Sequence, residues 1–301
     1  QGWEVHPAAI NFSIEQKGET QTVYFEVTPS RGESEGYLSP RLTSDGSTFE
    51  KALVEIAYDH IPKQSILLPA KTKVVRLNIQ KSGENIGYIV GAGDKVPESL
   101  EQIGYNVQTI NVSKIEQGSL DNYDGIVVGI RAYNVIEELK FKQDLLFDFV
   151  RNGGILIVQY NTANRWRNQF ENIAPYPLTV SRDRVTDEKA TVTILAKDHS
   201  LVNFPNIITD KDFDGWVQER GLYFPNAWDD SFTPILSMSD EGEEAKQGSL
   251  LVAPYGQGNY IYTGLSFFRE LPAGVSGAYK LFANMLSLGK EKIKNEENIK
   301  G

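Results

Sequence analysis

The feature that most constrains this chain is a change of hydrophobic rhythm near Lys81-Ser82-Gly83-Glu84. Before it, apolar and polar residues alternate: Ile10 to Ile14, Thr22 to Val27, Ala52 to Tyr58, and Lys73 to Ile79. Turn residues separate these runs at Lys17-Gly18-Glu19, Pro29 to Gly32 and Ser44-Asp45-Gly46. A period of two, with no helical period between, predicts several short strands in an Ig-like all-β sandwich over 1–82. Such a module ordinarily serves as a spacer or packing platform.

After the change, strand-like and helix-like segments take turns. Ile86 to Val90 reads as a buried strand ending in Gly91-Ala92-Gly93-Asp94, and a helix follows from about Val96 to Ile103, with Pro97 in its first turn and Gly104 at its end. Tyr105 to Ile110 and Gly125 to Ile130 supply further strands. An amphipathic helix is expected from about Glu137 to Arg151, then a fourth strand over Ile155 to Val158. Strands separated by helices imply right-handed βαβ units and a mostly parallel sheet. The region from about Pro175 to Asp240 reads as irregular. A late hairpin, Gly248 to Ala253 and Gly258 to Gly264, and a last helix from about Ser276 to Leu288 complete a three-layer, flavodoxin-like α/β domain over 83–290. The charged tail 291–301 is expected to fray.

Several classes are disfavoured by the totals. The net charge of −10 over 301 residues argues against nucleic acid or an anionic membrane as partner. No run approaches the roughly 20 apolar residues of a membrane span. The chain has no cysteine, which removes disulfides, thiol nucleophiles and Cys-ligated zinc. His6, His60 and His199 lie on separate segments without metal-ligand spacing, and no metal or cofactor is expected. Asp210, Asp212 and Asp214 alternate like part of a calcium loop, but its twelfth position is Gly221, where a bidentate glutamate is needed. The chain opens at Gln1 rather than methionine and reads as a trimmed or mature fragment.

Ligands of open α/β sheets bind beyond the carboxyl ends of the strands. The tips here are Gly91-Ala92-Gly93-Asp94, Arg131-Ala132-Tyr133-Asn134 and Gln159 to Arg165. The first lacks the third glycine of a dinucleotide fingerprint and puts Asp94 where a pyrophosphate would sit. The candidate ligand-binding residues are therefore Arg131, Tyr133, Gln159, Tyr160 and Asn161. A second group comes from Asp214 to Asp230, where Trp216, Tyr223, Phe224 and Trp228 stand among Gln218, Glu219 and Arg220. Aromatic faces beside amides, carboxylates and guanidinium suit a sugar ring or peptide; the competing account is that these rings plug the core. Asp214, Trp216, Glu219 and Arg220 join the candidates, and Arg182-Asp183-Arg184 is expected to brace the same stretch as an ion-pair cluster.

The run Asn122 to Gly129, followed by a helix and Asn152-Gly153-Gly154 to Val158, resembles the class I glutamine amidotransferase-like superfamily. Catalytic members carry a cysteine at the turn after such a strand. This chain has Tyr160-Asn161-Thr162 there, which cannot supply a thiolate, so a glutaminase is excluded. Longer motifs resemble the C-terminal region of large exported proteins of Bacteroidetes-type bacteria. They are Gln159 to Thr162, Pro175 to Leu178, Ser181 to Thr186, Asp214 to Pro225 and Tyr262 to Arg269. The N-terminal parts of those proteins are similar to LmbE/PIG-L-type N-acetylglucosamine deacetylases. Their zinc motif has the form His-Pro-Asp-Asp, whereas His6-Pro7-Ala8-Ala9 lacks both aspartates. The resemblance implies a non-catalytic accessory region of an exported protein, binding an N-acetylated sugar or glycan, or an upstream catalytic domain. The rival expectations are a carboxylate-dependent hydrolase using a pair such as Asp214 and Glu219, and a purely structural or assembly module.

Overall fold

The structure, a computed structural model, describes residues 2–163 and 173–290. Asn164 and Arg165 of the third strand tip and the tail 291–301 lie outside the described residues. The chain divides into two compact units, Gln1–Asn78 and Ile79–Gly301, with the boundary just ahead of the Lys81–Glu84 segment.

The first unit is antiparallel β, in short ladders. Its strands are β1 (Glu4–His6), β2 (Glu26–Thr28), β3 (Ser34–Leu38), β4 (Leu42–Ser44), β5 (Ser47–Phe49), β6 (Lys51–Ile56), β7 (Gln64–Pro69) and β8 (Thr72–Arg76). They pair two by two, as β1–β2, β3–β8, β4–β5 and β6–β7. The alternating run Ile10 to Ile14 is not a strand, and Thr22 to Val27 contributes only its last residues, through β2. Period-two patterning specifies a residue's face only where a partner strand exists, and Ile10 to Ile14 has none among the described residues.

The second unit is built on one seven-stranded sheet. In chain order its elements begin with β9 (Asn85–Ile89), α1 (Val96–Gln102), β10 (Asn106–Thr109), β11 (Gly125–Val128), α2 (Ala132–Val135), α3 (Gln143–Arg151) and β12 (Ile155–Gln159). The expected helix over 137–151 is divided: a 3-10 turn at Glu137–Phe141 precedes α3. Next come β13 (Leu178–Val185), β14 (Val192–Ile194), α4 (Ser200–Asn203), β15 (Gly221–Trp228), β16 (Thr233–Pro234) and β17 (Leu236–Met238). The last elements are β18 (Leu250–Tyr255), β19 (Gly258–Thr263), α5 (Phe267–Glu270) and α6 (Ser276–Ser287).

The sheet order is β10-β9-β11-β12-β19-β18-β16. The first five strands in that order run parallel, and β18 and β16 turn antiparallel at one edge. Numbered within the unit, the parallel strands read 2-1-3-4 and then β19, the flavodoxin-like winding. The apolar runs Gly125–Val128 and Ile155–Gln159 are buried along their whole length because helices cover both faces. Ile126, Val128, Leu156, Val158, Tyr260 and Tyr262 pack with Leu146, Phe147 and Val150 of α3. Their neighbours in sequence face the other way: a Cβ added to Gly125 would lie 3.1 Å from Leu286 Cδ2 of α6. Each fully buried Leu or Val in these strands contributes roughly 1.5–3 kcal/mol of transfer free energy.

The region from Pro175 to Asp240 corrects the sequence reading, because it is not irregular. It holds β13 and β15, two eight-residue antiparallel strands whose register slips between Thr179 and Val180, Val180 and Asp183, and Asp183 and Arg184. Those bulges, Pro225 within β15 and a left-handed Tyr223 break the period-two signal. Arg182 and Arg184 lie exposed on β13, and no ion pair among the described residues joins them to Asp183.

Candidate functional site

The tips of β9, β11 and β12 are pressed together by backbone contact. Gly91 meets the turn after β11 so closely that a Cβ there would lie 2.1 Å from Ile130 O, and Ala92 N donates to that same oxygen at 2.8 Å. The glycine serves this close approach, and the space a pyrophosphate would need is filled by protein. Asp94 accepts from Val96 N at 3.0 Å and from Tyr88 Oη at 2.8 Å. Gln159 Nε2 in turn donates to Tyr88 Oη at 3.1 Å. Burial pushes both the Tyr88 phenol and the Asp94 carboxyl up, and the neighbouring Asp94 charge adds to the Tyr88 shift.

The sequence candidates separate into three groups. Gln159, Asn161 and Tyr133 tie the strand tips together. Asn161 is fully buried; its Nδ2 donates to Gln159 O at 3.0 Å, and its Oδ1 accepts from Tyr133 N at 3.0 Å. Burial raises the Tyr133 phenol. The Asn161 amide satisfies backbone, as buried polar groups generally do, whereas Gln159 Oε1 and Tyr133 Oη are buried without a hydrogen-bond partner among the described residues.

Trp216 and Arg220 form a second group, placed in the core rather than on an open face. Trp216 is 3% exposed, donates Nε1–H to Asp212 O at 3.1 Å and packs on Phe213 and Phe267. Arg220 is 4% exposed. Its Nε and Nη2 donate to Ala190 O at 3.0 and 2.8 Å, its Nη1 to Phe213 O, and its guanidinium lies over the Trp216 ring. Burial lowers the Arg220 pKa, against the pull of Glu270 and the nearby aspartates. Asp214 is exposed at the end of a 3-10 turn over Asp210–Phe213. At that turn Asp212 accepts from Thr209 N at 2.8 Å and from Thr209 Oγ1 at 3.0 Å, so one of the alternating aspartates closes a capping box with Thr209. His199 Nδ1 accepts from Leu201 N at 3.1 Å, and no group of three metal-ligating side chains occurs among the described residues.

The third group contains Tyr160, Arg131 and Glu219, and it gathers Tyr223, Phe268 and Arg269, which the sequence reading does not single out as site residues. Tyr160 stacks on Tyr223 with centroids 5.9 Å apart and planes at 11°, and meets Phe268 at 5.4 Å. Tyr160 is 6% exposed, whereas Tyr223 and Phe268 are only half-buried and form the outer edge of the cluster. Arg131 N donates to Tyr160 O at 2.8 Å. Arg269 lies over the Phe268 ring and donates from Nε to Glu219 Oε1 at 3.0 Å. Tyr262 Oη bridges the two halves, donating to Tyr223 O at 3.2 Å and accepting from Asn161 N at 3.4 Å. Burial raises the Tyr160 phenol while the charges of Arg131 and Arg269 oppose the shift, so it is a neutral hydrogen-bond donor at pH 7.

The backbone is unusual at the same place. Arg131, Gln218 and Tyr223 have φ of 56°, 68° and 55°, the left-handed region that residues with a Cβ rarely enter. Each such residue costs on the order of 1–3 kcal/mol, and such strain collects at functional sites. Beneath the cluster lies Glu270, with no exposed surface. Its Oε2 accepts from Val217 N at 3.0 Å, and its Oε1 has no partner among the described residues. Burial pushes its carboxyl up to about 8, despite the Val217 hydrogen bond and the charges of Arg220 and Arg269. Phe268, Arg269 and Glu270 follow β19. The rule that ligands gather at strand ends would find them if applied to that strand as well.

No family model matches the chain, and no curated protein does. Among solved structures, one described as a GMP synthase protein of Thermoplasma acidophilum aligns at 15% identity with a TM-score of 0.45, over 71% of this chain and all of that one. A ThuA-like protein of Bacteroides uniformis aligns at 13% identity and TM-score 0.44, over 67% of this chain and 89% of that one. A β-galactosidase of Rahnella aligns at 13% identity and TM-score 0.40, over 70% of this chain and 32% of that one.

Proposed function

We propose that the α/β unit is a non-catalytic binding module whose ligand is a carbohydrate ring held at the strand tips. The observation that carries this reading is the Tyr160–Tyr223–Phe268 cluster, half-open at its edge and bracketed by Arg131 and by the Arg269–Glu219 pair. Sugar rings present apolar C–H faces that lie on aromatic rings and hydroxyls that need directed donors and acceptors around them. Arginine, tyrosine and glutamate side chains at the rim supply both kinds. The motifs quoted from the sequence support the wider setting: an accessory region, paired with a class I glutamine amidotransferase-like fold and a β-sandwich, in exported proteins of the PIG-L/LmbE deacetylase kind. N-acetylated sugars are then the first ligands to try.

The test is calorimetric titration of the full chain with N-acetylglucosamine and its oligomers, in wild type and in Phe268→Ala. Saturable binding that weakens at least tenfold in a variant of unchanged melting profile supports the reading. Binding that survives Phe268→Ala, or none in the wild type, rejects it.

One observation favours a second reading, a carboxylate-dependent hydrolase. Glu219 is held by Arg269 while Glu270 beside it is pushed up to about 8 by burial, and carboxylates in contrasting environments can divide acid and base roles. Glu270 has no exposed surface, which ranks this reading below the first. Turnover of any glycoside that Glu219→Gln abolishes would reverse the order.

A further inference from the structure

We infer that the ring bound at the strand tips is an acidic sugar, whose carboxylate is received by Arg131. This deepens the carbohydrate reading above and rests on it.

The charges around Tyr160 come first. Arg131, Arg269 and Glu219 are the ionised side chains that act on its hydroxyl. Glu219 is closed on Arg269 through the 3.0 Å hydrogen bond, so that pair is internally neutralised. Arg131 is exposed and has no ion-pair partner among the described residues. Among the described residues the site therefore carries one uncompensated positive charge, in a chain whose net charge is −10. Glu270 does not cancel it at neutral pH, because burial keeps its carboxyl protonated up to about 8.

An unpaired surface arginine is ordinary, but Arg131 is not placed as an ordinary one. Its φ of 56° suits glycine or asparagine, and a longer side chain adds steric cost there. The backbone on both sides is pinned: Arg131 N donates to Tyr160 O at 2.8 Å, and Arg131 O accepts from Asn134 N at 2.9 Å. An arginine is thus rooted in a strained, fixed backbone, and its charge acts on a protonated phenol. A planar fork of donors with a neutral O–H beside it suits a carboxylate, which a guanidinium can bind in bidentate fashion. Neutral sugars would use the rings and take at most hydroxyl hydrogen bonds from Arg131, leaving its charge unpaired.

The carboxylate can sit on the ring, as in a uronic acid, or on a side arm of an N-acetylated sugar, and matched pairs of probes separate the two. The full chain is titrated with D-galacturonate against D-galactose, and with N-acetylmuramate against N-acetylglucosamine. Each titration is run in wild type, Arg131→Asn and Arg131→Lys, with melting temperature monitored throughout. Asparagine tolerates the left-handed backbone and removes only the charge.

In wild type the acid of at least one pair should bind about tenfold more tightly than its neutral partner, as expected for a charge-assisted hydrogen bond. That preference should vanish in Arg131→Asn, return in part in Arg131→Lys and weaken as salt is raised. Which pair shows it identifies where the acid sits. Equal affinities for acid and neutral sugar, or a preference that survives Arg131→Asn, overturn the inference. Neutral-sugar binding that still disappears in Phe268→Ala would then leave the ring-binding reading standing. Absence of binding to all four probes overturns the inference, and absence of binding to the N-acetylglucosamine oligomers as well withdraws both.

Discussion

Two assemblies in this molecule use the same side chains, aromatic rings with an arginine against them, and come to opposite ends. In the Trp216–Phe213–Phe267 block the arginine, Arg220, is 4% exposed and spends its donors on the carbonyls of Ala190 and Phe213. In the Tyr160–Tyr223–Phe268 cluster the two outer rings, Tyr223 and Phe268, are half-buried and the arginines, Arg131 and Arg269, lie at the rim. Composition cannot tell these apart. The fate of the donors can: Arg220 is saturated by backbone, which fixes a fold, while Arg131 keeps its guanidinium free of ion-pair partners among the described residues, which leaves it for a ligand.

The comparison breaks most sharply under truncation of the closed block. Trp216→Ala removes a buried indole packed on two rings and leaves Asp212 O without its donor. A loss of about 3–5 kcal/mol is expected in chemical denaturation. Phe268→Ala, at the half-open cluster, should cost well under half of that. If the two variants lose equal stability, the distinction between a closed and an open assembly fails.

Glu270 links the two assemblies, since both Arg220 and Arg269 act on it. Its folded pKa, about 8, lies above the ordinary glutamate value, so the folded state holds a proton that the unfolded chain has released. The sign follows: between about pH 4.5 and 8 the folded state binds more protons than the unfolded one, and this group's contribution falls as pH rises. Glu270→Gln keeps an acceptor for Val217 N and removes the titration. Thermal melts from pH 5 to 8.5 should show the variant gaining on wild type toward alkaline pH, by several degrees at the upper end. A constant difference across that range would mean that Glu270 is not the group responsible.

How much of this is legible in the sequence depends on which signal each region uses. The parallel strands β9, β11 and β12 announce themselves as apolar runs ending in polar tips, and Tyr160 and Arg131 stand where such strands end. The β13–β15 ladder stays hidden because its bulges and the left-handed Tyr223 destroy the alternation that marks a strand. Trp216 and Arg220 are misplaced by the sequence for a different reason. A stretch rich in aromatics and charges reads alike whether it lies over a core or faces solvent, and only the carbonyls of Ala190 and Phe213, remote in sequence from the ring they help bury, decide it. In the first unit, alternation identifies strand-forming sequence but not how strands pair. Leu53 and Leu67, directly opposite each other in β6 and β7, are each 60% exposed.

The smallest effect concerns the strain at the edge of the open cluster. Glu219 N donates to Val217 O at 2.8 Å across Gln218, whose φ is 68°. An i to i+2 bond with that φ is the rare form of γ-turn. It aims Glu219 at Arg269 while Val217 N turns to Glu270. Glycine enters this conformation without steric cost but loses more entropy on folding, so comparison with wild type mixes two effects of about 1 kcal/mol each. Alanine supplies the better reference, because it keeps the strain and removes the rest of the side chain, leaving steric relief to be weighed against glycine's known entropic cost. Gln218→Gly should therefore be more stable than Gln218→Ala by up to about 1 kcal/mol in denaturant titration. If alanine proves more stable than glycine by the usual entropic margin of about 0.5–1 kcal/mol, the turn is not strained, and the concentration of left-handed residues around Tyr160 loses one of its three members as an argument for a site.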